Sequence, residues 1–276
     1  MGSGVARPHR NSIRWSDALS YGDGVALPDD LTHDRWTRSN GYDPEWVIEN
    51  QMGPNALWLL EWLTEALSIQ PGDRVLDLGC GRAMTSIFLA REFGAEVTAA
   101  DLWIPADENR ARIEEAGLAD HVTAVHAEAH QLPFEPESFD AIVSIDAYQY
   151  FGTADLYLAE MTKLLRPDGH IGIVVPGVTT EVEEDPPPHL AQWWEWEFCC
   201  FHTPAWWRTH WSKTGLVRVD TADWLEDGWR DWRRFAAASL PFMEGWRVEA
   251  TADEQAMLEA DEGRVLGLAR VVGTRT

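Results

Sequence analysis

Apolar and polar positions repeat with two different periods along this chain, and each change of period marks an element. Arg74 to Leu78 is a short run dense in apolar residues, the pattern of a strand buried on both faces. Gly79-Cys80-Gly81 follows at once. Met84 to Phe93 then places apolar residues at helical spacing until Gly94 closes the run. Glu96 to Ala100 reads as a second strand that ends on Asp101. Strand, glycine turn, helix, strand and acid make half of a nucleotide-binding unit.

The alternation continues on both sides. Upstream, Leu57, Leu59, Leu60, Trp62, Leu63 and Leu67 predict an amphipathic helix with Pro54 as its first residue and Pro71-Gly72 as its stop. Downstream, the pattern predicts a helix over Asp107–Ala116, a third strand over His121–His126 and a fourth over Ala141–Ile145. Thr153 is placed to cap a helix running to Leu165, and His170–Val175 gives a fifth strand that Pro176-Gly177 stops. A helix over Pro204–Thr214, a sixth strand over Leu216–Thr221, a late helix over Ala252–Ala260 and a final strand over Arg264–Thr274 complete the chain. The fold class is therefore α/β, a seven-stranded and mostly parallel sheet with helices on both faces. Residues 1–53 form an N-terminal extension or cap whose first 35 are polar and read as loop, and residues 54–276 form the main domain. Insertions are expected at about 178–203 and 223–262, after the fifth and sixth strands.

The turn decides which ligand the unit suits. Gly79 and Gly81 permit a tight bend and close approach of a ligand to the backbone, and the N–H groups of the next helix point the same way. Asp101 can accept both hydroxyl hydrogens of a ribose. A dinucleotide fits poorly. The third glycine of G-x-G-x-x-G is missing, with Met84 in its place, and Asp77 sits two residues before the first glycine. A carboxylate there repels pyrophosphate and favours a cationic ligand. An NAD-dependent oxidoreductase is the less favoured enzyme reading for that reason.

Asp77-Leu78-Gly79-Cys80-Gly81 with Asp101 resembles motif I and the ribose acid of class I S-adenosylmethionine (SAM) methyltransferases. The resemblance covers roughly residues 54–222 and the last strand, and it implies a Rossmann-like SAM-binding domain. It carries over to Ala127-Glu128-Ala129 followed by Leu132-Pro133-Phe134, where Glu128 stands for the usual aspartate that accepts from the adenine amino group and the Ala129 N–H reaches the ring. Leu102 and Trp103 would flank the adenine, and Ile145 would line the site. Met52 and Asn55, ahead of the first strand, would help cover SAM. The Leu-Pro-Phe and Ser138-Phe139-Asp140 patterns are similar to those of the ubiquinone/menaquinone and cyclopropane-synthase-like methyltransferases. The resemblance implies SAM as cofactor, S-adenosylhomocysteine (SAH) as product, no metal, and in-line displacement onto a small-molecule acceptor. A non-catalytic SAM-binding or sensing protein is the alternative of another class.

Composition narrows the partners. Net charge is −24, with 46 acids against 22 bases, which disfavours nucleic acid and an anionic membrane surface. The three cysteines, Cys80, Cys199 and Cys200, lack metal spacing and fit a reducing compartment, so the expected location is cytoplasmic. Oligomeric state is left open.

Tryptophan marks where an acceptor would lie. Of 16 tryptophans, only Trp103 falls between residues 63 and 192, while ten fall between 193 and 246. Such a cap can line an apolar pocket or hold a cation over ring faces. At the end of the fourth strand, Asp146, Tyr148 and Tyr150 are the expected catalytic or orienting residues, with His202 and then His130 behind them. Parallel sheets bind ligands at that end.

Overall fold

The computed structural model describes residues 31–276, so the loop expected before residue 31 lies outside the described residues. Its seven strands are β1 (Arg74–Leu78), β2 (Glu96–Asp101), β3 (Val122–His126), β4 (Phe139–Ile145), β5 (Leu165–Val178), β6 (Val217–Trp224) and β7 (Leu266–Arg275). They form one sheet in the order β3-β2-β1-β4-β5-β7-β6. All pairings are parallel except those of β7, which runs against β5 and β6. The order reverses between β1 and β4, and at such a reversal neighbouring crossovers leave to opposite faces and open a crevice.

Burial fills both faces. One core gathers Leu57, Leu60 and Leu63 of α2 (Ala56–Thr64), Ile87 and Phe88 of α3 (Met84–Phe93) and Ile113 of α4 (Ala106–Glu115). Phe235 of α8 (Gly228–Ser239) and Leu258 of α9 (Trp246–Asp261) join it. The other gathers Tyr148, Leu158 and Met161 of α6 (Tyr157–Leu164), and Trp207 and Trp211 of α7 (Pro204–Ser212). Among the described residues no helix is long and apolar enough to cross a membrane.

Several boundaries differ from the expected ones for identifiable reasons. α2 starts one residue after Asn55, whose side chain accepts from the Leu57 and Trp58 N–H groups, so Asn55 rather than Pro54 sets the start. A cap of this kind contributes about 1 kcal/mol. A short helix, α1 (Pro44–Asn50), precedes it, capped by Asp43 through the Glu45 N–H. Thr153 caps no helix. It follows the single turn of α5 (Gln149–Gly152), and α6 begins only at Tyr157. β5 runs through Pro176-Gly177, because beyond Val174 its β4 side has no ladder and proline's missing N–H is not needed there. β6 extends to Trp224, and the insertion after it holds two helices, α8 and α9, rather than one.

Candidate active site

A cavity of about 310 Å³ opens at the carboxyl ends of β1, β2, β3 and β4. The turn after β1 forms its floor. Gly79 and Gly81 have φ of 74° and 53°, a region that favours glycine, and Ala83 at 60° shares it. A β-carbon on Gly79 would stand 2.4 Å from that of Ala147, and one on Gly81 would stand 2.9 Å from the Met52 sulfur. The turn is therefore clamped between the β4 end and the segment before α2.

Asp101 ties this floor to the second wall. Its Oδ2 accepts from the Gly81 N–H at 2.8 Å, and its Oδ1 accepts from Trp103 and Ile104 at 2.7 and 2.9 Å. Cys80, Gly79 and Gly81 line the cavity with Asp101, Leu102 and Trp103, and Trp103 is two-thirds exposed. After β3, Glu128, Ala129 and His130 form the third wall. The Glu128 carboxylate lies 2.7 Å from His130 Nδ1, and that hydrogen bond holds its pKa below the ordinary range. Ile145, Asp146 and Tyr150 supply the fourth wall, and the Tyr150 and Trp103 rings stand 5.9 Å apart at the mouth. Met52, half-exposed, covers the opening.

Four expected residues lie elsewhere. Asp77 is fully buried beneath the turn, not in the cavity wall. Its Oδ2 accepts from Thr85 and Ser86, each at 2.6 Å, and binds the end of β1 to the first turn of α3. Its Oδ1 has no partner among the described residues, and burial pushes its pKa up to about 6. Asn55 is occupied in capping α2 and faces a smaller cavity beside α1. Tyr148 points into the opposite core, ringed by Phe151, Tyr157, Trp207 and Trp211. His202 stacks on Trp206 at 3.6 Å and meets Glu181 at 2.8 Å, which anchors the start of α7 away from the cavity.

Asp146 has the least ordinary setting. Its φ is 54°, its N–H extends the sheet to the Val174 carbonyl, and the Gln149 amide donates to its Oδ1 at 3.3 Å. Burial pushes its pKa up to about 8, and the charge of Glu254 on α9 adds to the rise. No sequence motif marks Glu254 or Gly53, and Arg82 was passed over in the turn. Arg82 is the single arginine or lysine in the cavity wall among the described residues, and its Nη1 donates to the Glu49 carbonyl at 2.6 Å. The residue after G-x-G was the available signal for it.

A family model described as a methyltransferase domain matches residues 75–169, the stretch that builds these walls. Residues 75–169 thus match a methyltransferase domain, and the chain as a whole is similar to S-adenosylmethionine-dependent methyltransferases. Methyltransferase GfsG of Streptomyces halstedii is 34% identical over 146 residues, which cover 51% of this chain and 52% of that protein. The chain thus spans about half the length of that relative. The demethylmenaquinone methyltransferase of Beutenbergia cavernae is 29% identical over 84% of this chain and 83% of its own. Phosphoethanolamine N-methyltransferase 2 of Haemonchus contortus, solved in complex with S-adenosyl-L-methionine, superposes with a TM-score of 0.69 at 18% identity. That superposition covers 92% of this chain and 60% of that one, and at this identity it speaks to the α/β methyltransferase fold.

The cofactor of this methyltransferase class is SAM, and the cavity suits it. Carboxylates at Asp101 and Glu128 accept from hydroxyl and amino donors, Leu102, Trp103 and Ile145 give apolar flanks, and Arg82 offers a guanidinium with a buried, unpartnered Nε among the described residues. That set matches a ligand with a ribose, a purine and a carboxylate.

Proposed function

We propose that this protein transfers a methyl group from SAM to a small-molecule acceptor, apolar and aromatic or amine-bearing. The observation that carries the reading is one cavity walled on one side by the Gly79–Gly81 turn and Asp101, and on another by Asp146. When bound, SAM supplies an electrophilic methyl on a sulfonium. Asp101 would hold the ribose hydroxyls, Glu128 and the Ala129 N–H the adenine edge, Leu102 and Trp103 its faces, and Arg82 the carboxylate end.

The chain's own work is positioning and proton handling. Met52 and Gly53 close over the turn and exclude water, which raises the effective concentration of the reacting groups. Asp146 and Tyr150 stand at the β4 end beside the cavity. Asp146 orients the acceptor and takes its proton where the nucleophile carries one. Tyr150 shapes the mouth with Trp103. Tyr148 and His202 do not line the cavity, and in this reading they hold the fold around the site.

Calorimetric titration with SAM, SAH and NAD tests the cofactor directly. Micromolar binding of SAM or SAH without NAD is expected; NAD binding, or silence from all three, would overturn the reading. Asp146→Asn should then keep SAM affinity within about threefold and lower turnover by about 10². Turnover equal to the parent's would remove Asp146 from the mechanism.

A further inference from the structure

We propose that His130 is a positioning residue that fixes Glu128 for recognition of a purine 6-amino group, so that the site prefers an adenine cofactor to its 6-oxo counterpart; the assignment rests on the methyl-transfer reading above. Both side chains line the cavity, on the wall built by the residues after β3. His130 Nδ1 lies 2.7 Å from Glu128 Oε1. A carboxylate only accepts, so Nδ1 carries the hydrogen and donates it. The bond occupies Oε1 and leaves Oε2 to accept from a ligand.

The residue type creates the need for such a partner. Glu128 has one methylene more than an aspartate, hence one more torsion to fix before its carboxylate can meet a ligand at a set place. His130 supplies that restraint and is itself restrained. Its ring stands edge-on to Tyr157 of α6, with centroids 5.1 Å apart and planes at 67°. The Tyr157 hydroxyl donates to the Ala129 carbonyl at 3.1 Å. One buried side chain from α6 therefore braces both residues that follow Glu128. The orientation of the carboxylate is set by a packed helix and not by its own exposed loop.

Selectivity follows from the order of donors and acceptors. Glu128 offers an acceptor, and its bond from His130 keeps it ionised at neutral pH. Ala129, next to it in the same wall, offers a backbone N–H. Adenine matches the pair, with an amino donor at position 6 and a ring-nitrogen acceptor at position 1. A 6-oxo purine reverses both: its carbonyl faces the carboxylate, and its N1–H faces the Ala129 N–H. A site with placed polar groups rejects such a mismatch, but only while the carboxylate is held in place.

Calorimetry of the full chain with SAH and with S-inosyl-L-homocysteine, its 6-oxo analogue, tests the assignment. The parent should bind SAH at least about tenfold more tightly than the analogue. His130→Ala should weaken SAH by about tenfold and leave the analogue within about threefold, so the preference falls while analogue binding shows that the variant is folded. His130→Asn, whose amide nitrogen can take the place of Nδ1, should restore SAH affinity to within about threefold of the parent. Equal weakening of both ligands by His130→Ala, an unchanged ratio, or no recovery in His130→Asn would overturn the proposal. A parent that binds neither ligand overturns the methyl-transfer reading together with this one, whereas SAH binding with an unmoved ratio overturns this one alone.

Discussion

The backbone of Gly53 rests against the carboxylate of Asp146, so that a β-carbon at position 53 would stand 2.2 Å from Oδ2. Gly53 belongs to the segment that closes over the glycine turn, and Asp146 ends β4. Asp146 cannot swing aside freely, because its φ of 54° and its bond to Gln149 fix it. Gly53→Ala should therefore displace the carboxylate and lower turnover by about tenfold or more, since small misplacements at a reacting centre are costly. SAH affinity measured by calorimetry should change less than turnover. A variant with parental turnover would show that this contact does not position Asp146.

Tyr148→Phe should be harmless. The Tyr148 hydroxyl is buried with no partner among the described residues, and burial drives its pKa far up. Removing an unmatched buried hydroxyl relieves a desolvation cost of about 1–3 kcal/mol. Thermal unfolding should show equal or higher Tm, with turnover within about twofold. A large loss of turnover would return Tyr148 to the site.

The contrast between Tyr148 and Tyr150 shows what the sequence carried and what it did not. β1, the glycine turn, α3 and Asp101 are local in sequence, each written by a period, a turn residue or a strand end, and the seven-stranded sheet follows from repeating that unit. Tyr148 and Tyr150 lie two residues apart at the start of the short helix α5, where such positions face different ways, and a single turn is too short to show a period. Asn55 was read as a ligand contact, whereas its side chain caps α2, where two N–H groups need an acceptor. Glu254 was illegible for a different reason. Its charge acts on Asp146 from 108 residues further along the chain, through a helix in an insertion whose own pattern shows only amphipathic packing.

Asp101→Asn should damage both the turn and the ligand site. The carboxylate accepts from three backbone N–H groups, those of Gly81, Trp103 and Ile104. An amide replaces one acceptor by a donor, which then opposes an N–H, and losing a charge-assisted bond costs about 2 kcal/mol. SAM affinity should fall by at least about tenfold, with a Tm lower by several degrees. Unchanged affinity by calorimetry would remove Asp101 from ligand binding and leave it a structural tie.

Stability should fall as pH rises through neutrality, and the sign follows from the site's carboxylates. Burial, with Glu254 beside it, raises Asp146 to about 8, and burial raises Glu254 to about 7. Each is pushed above its unfolded value, so its stabilising contribution is complete below about pH 4 and is lost as pH climbs through 7 and 8. The high net charge of −24 steepens the general loss at alkaline pH, so the test is a difference between proteins. In Asp146→Asn and Glu254→Gln one ionisation is removed, and the Tm advantage of each variant over the parent should grow between pH 5 and pH 9 by several degrees. A pH-independent difference would mean that the two carboxylates are solvated and uncoupled in the folded protein, and that the anionic character of the acceptor side is absent.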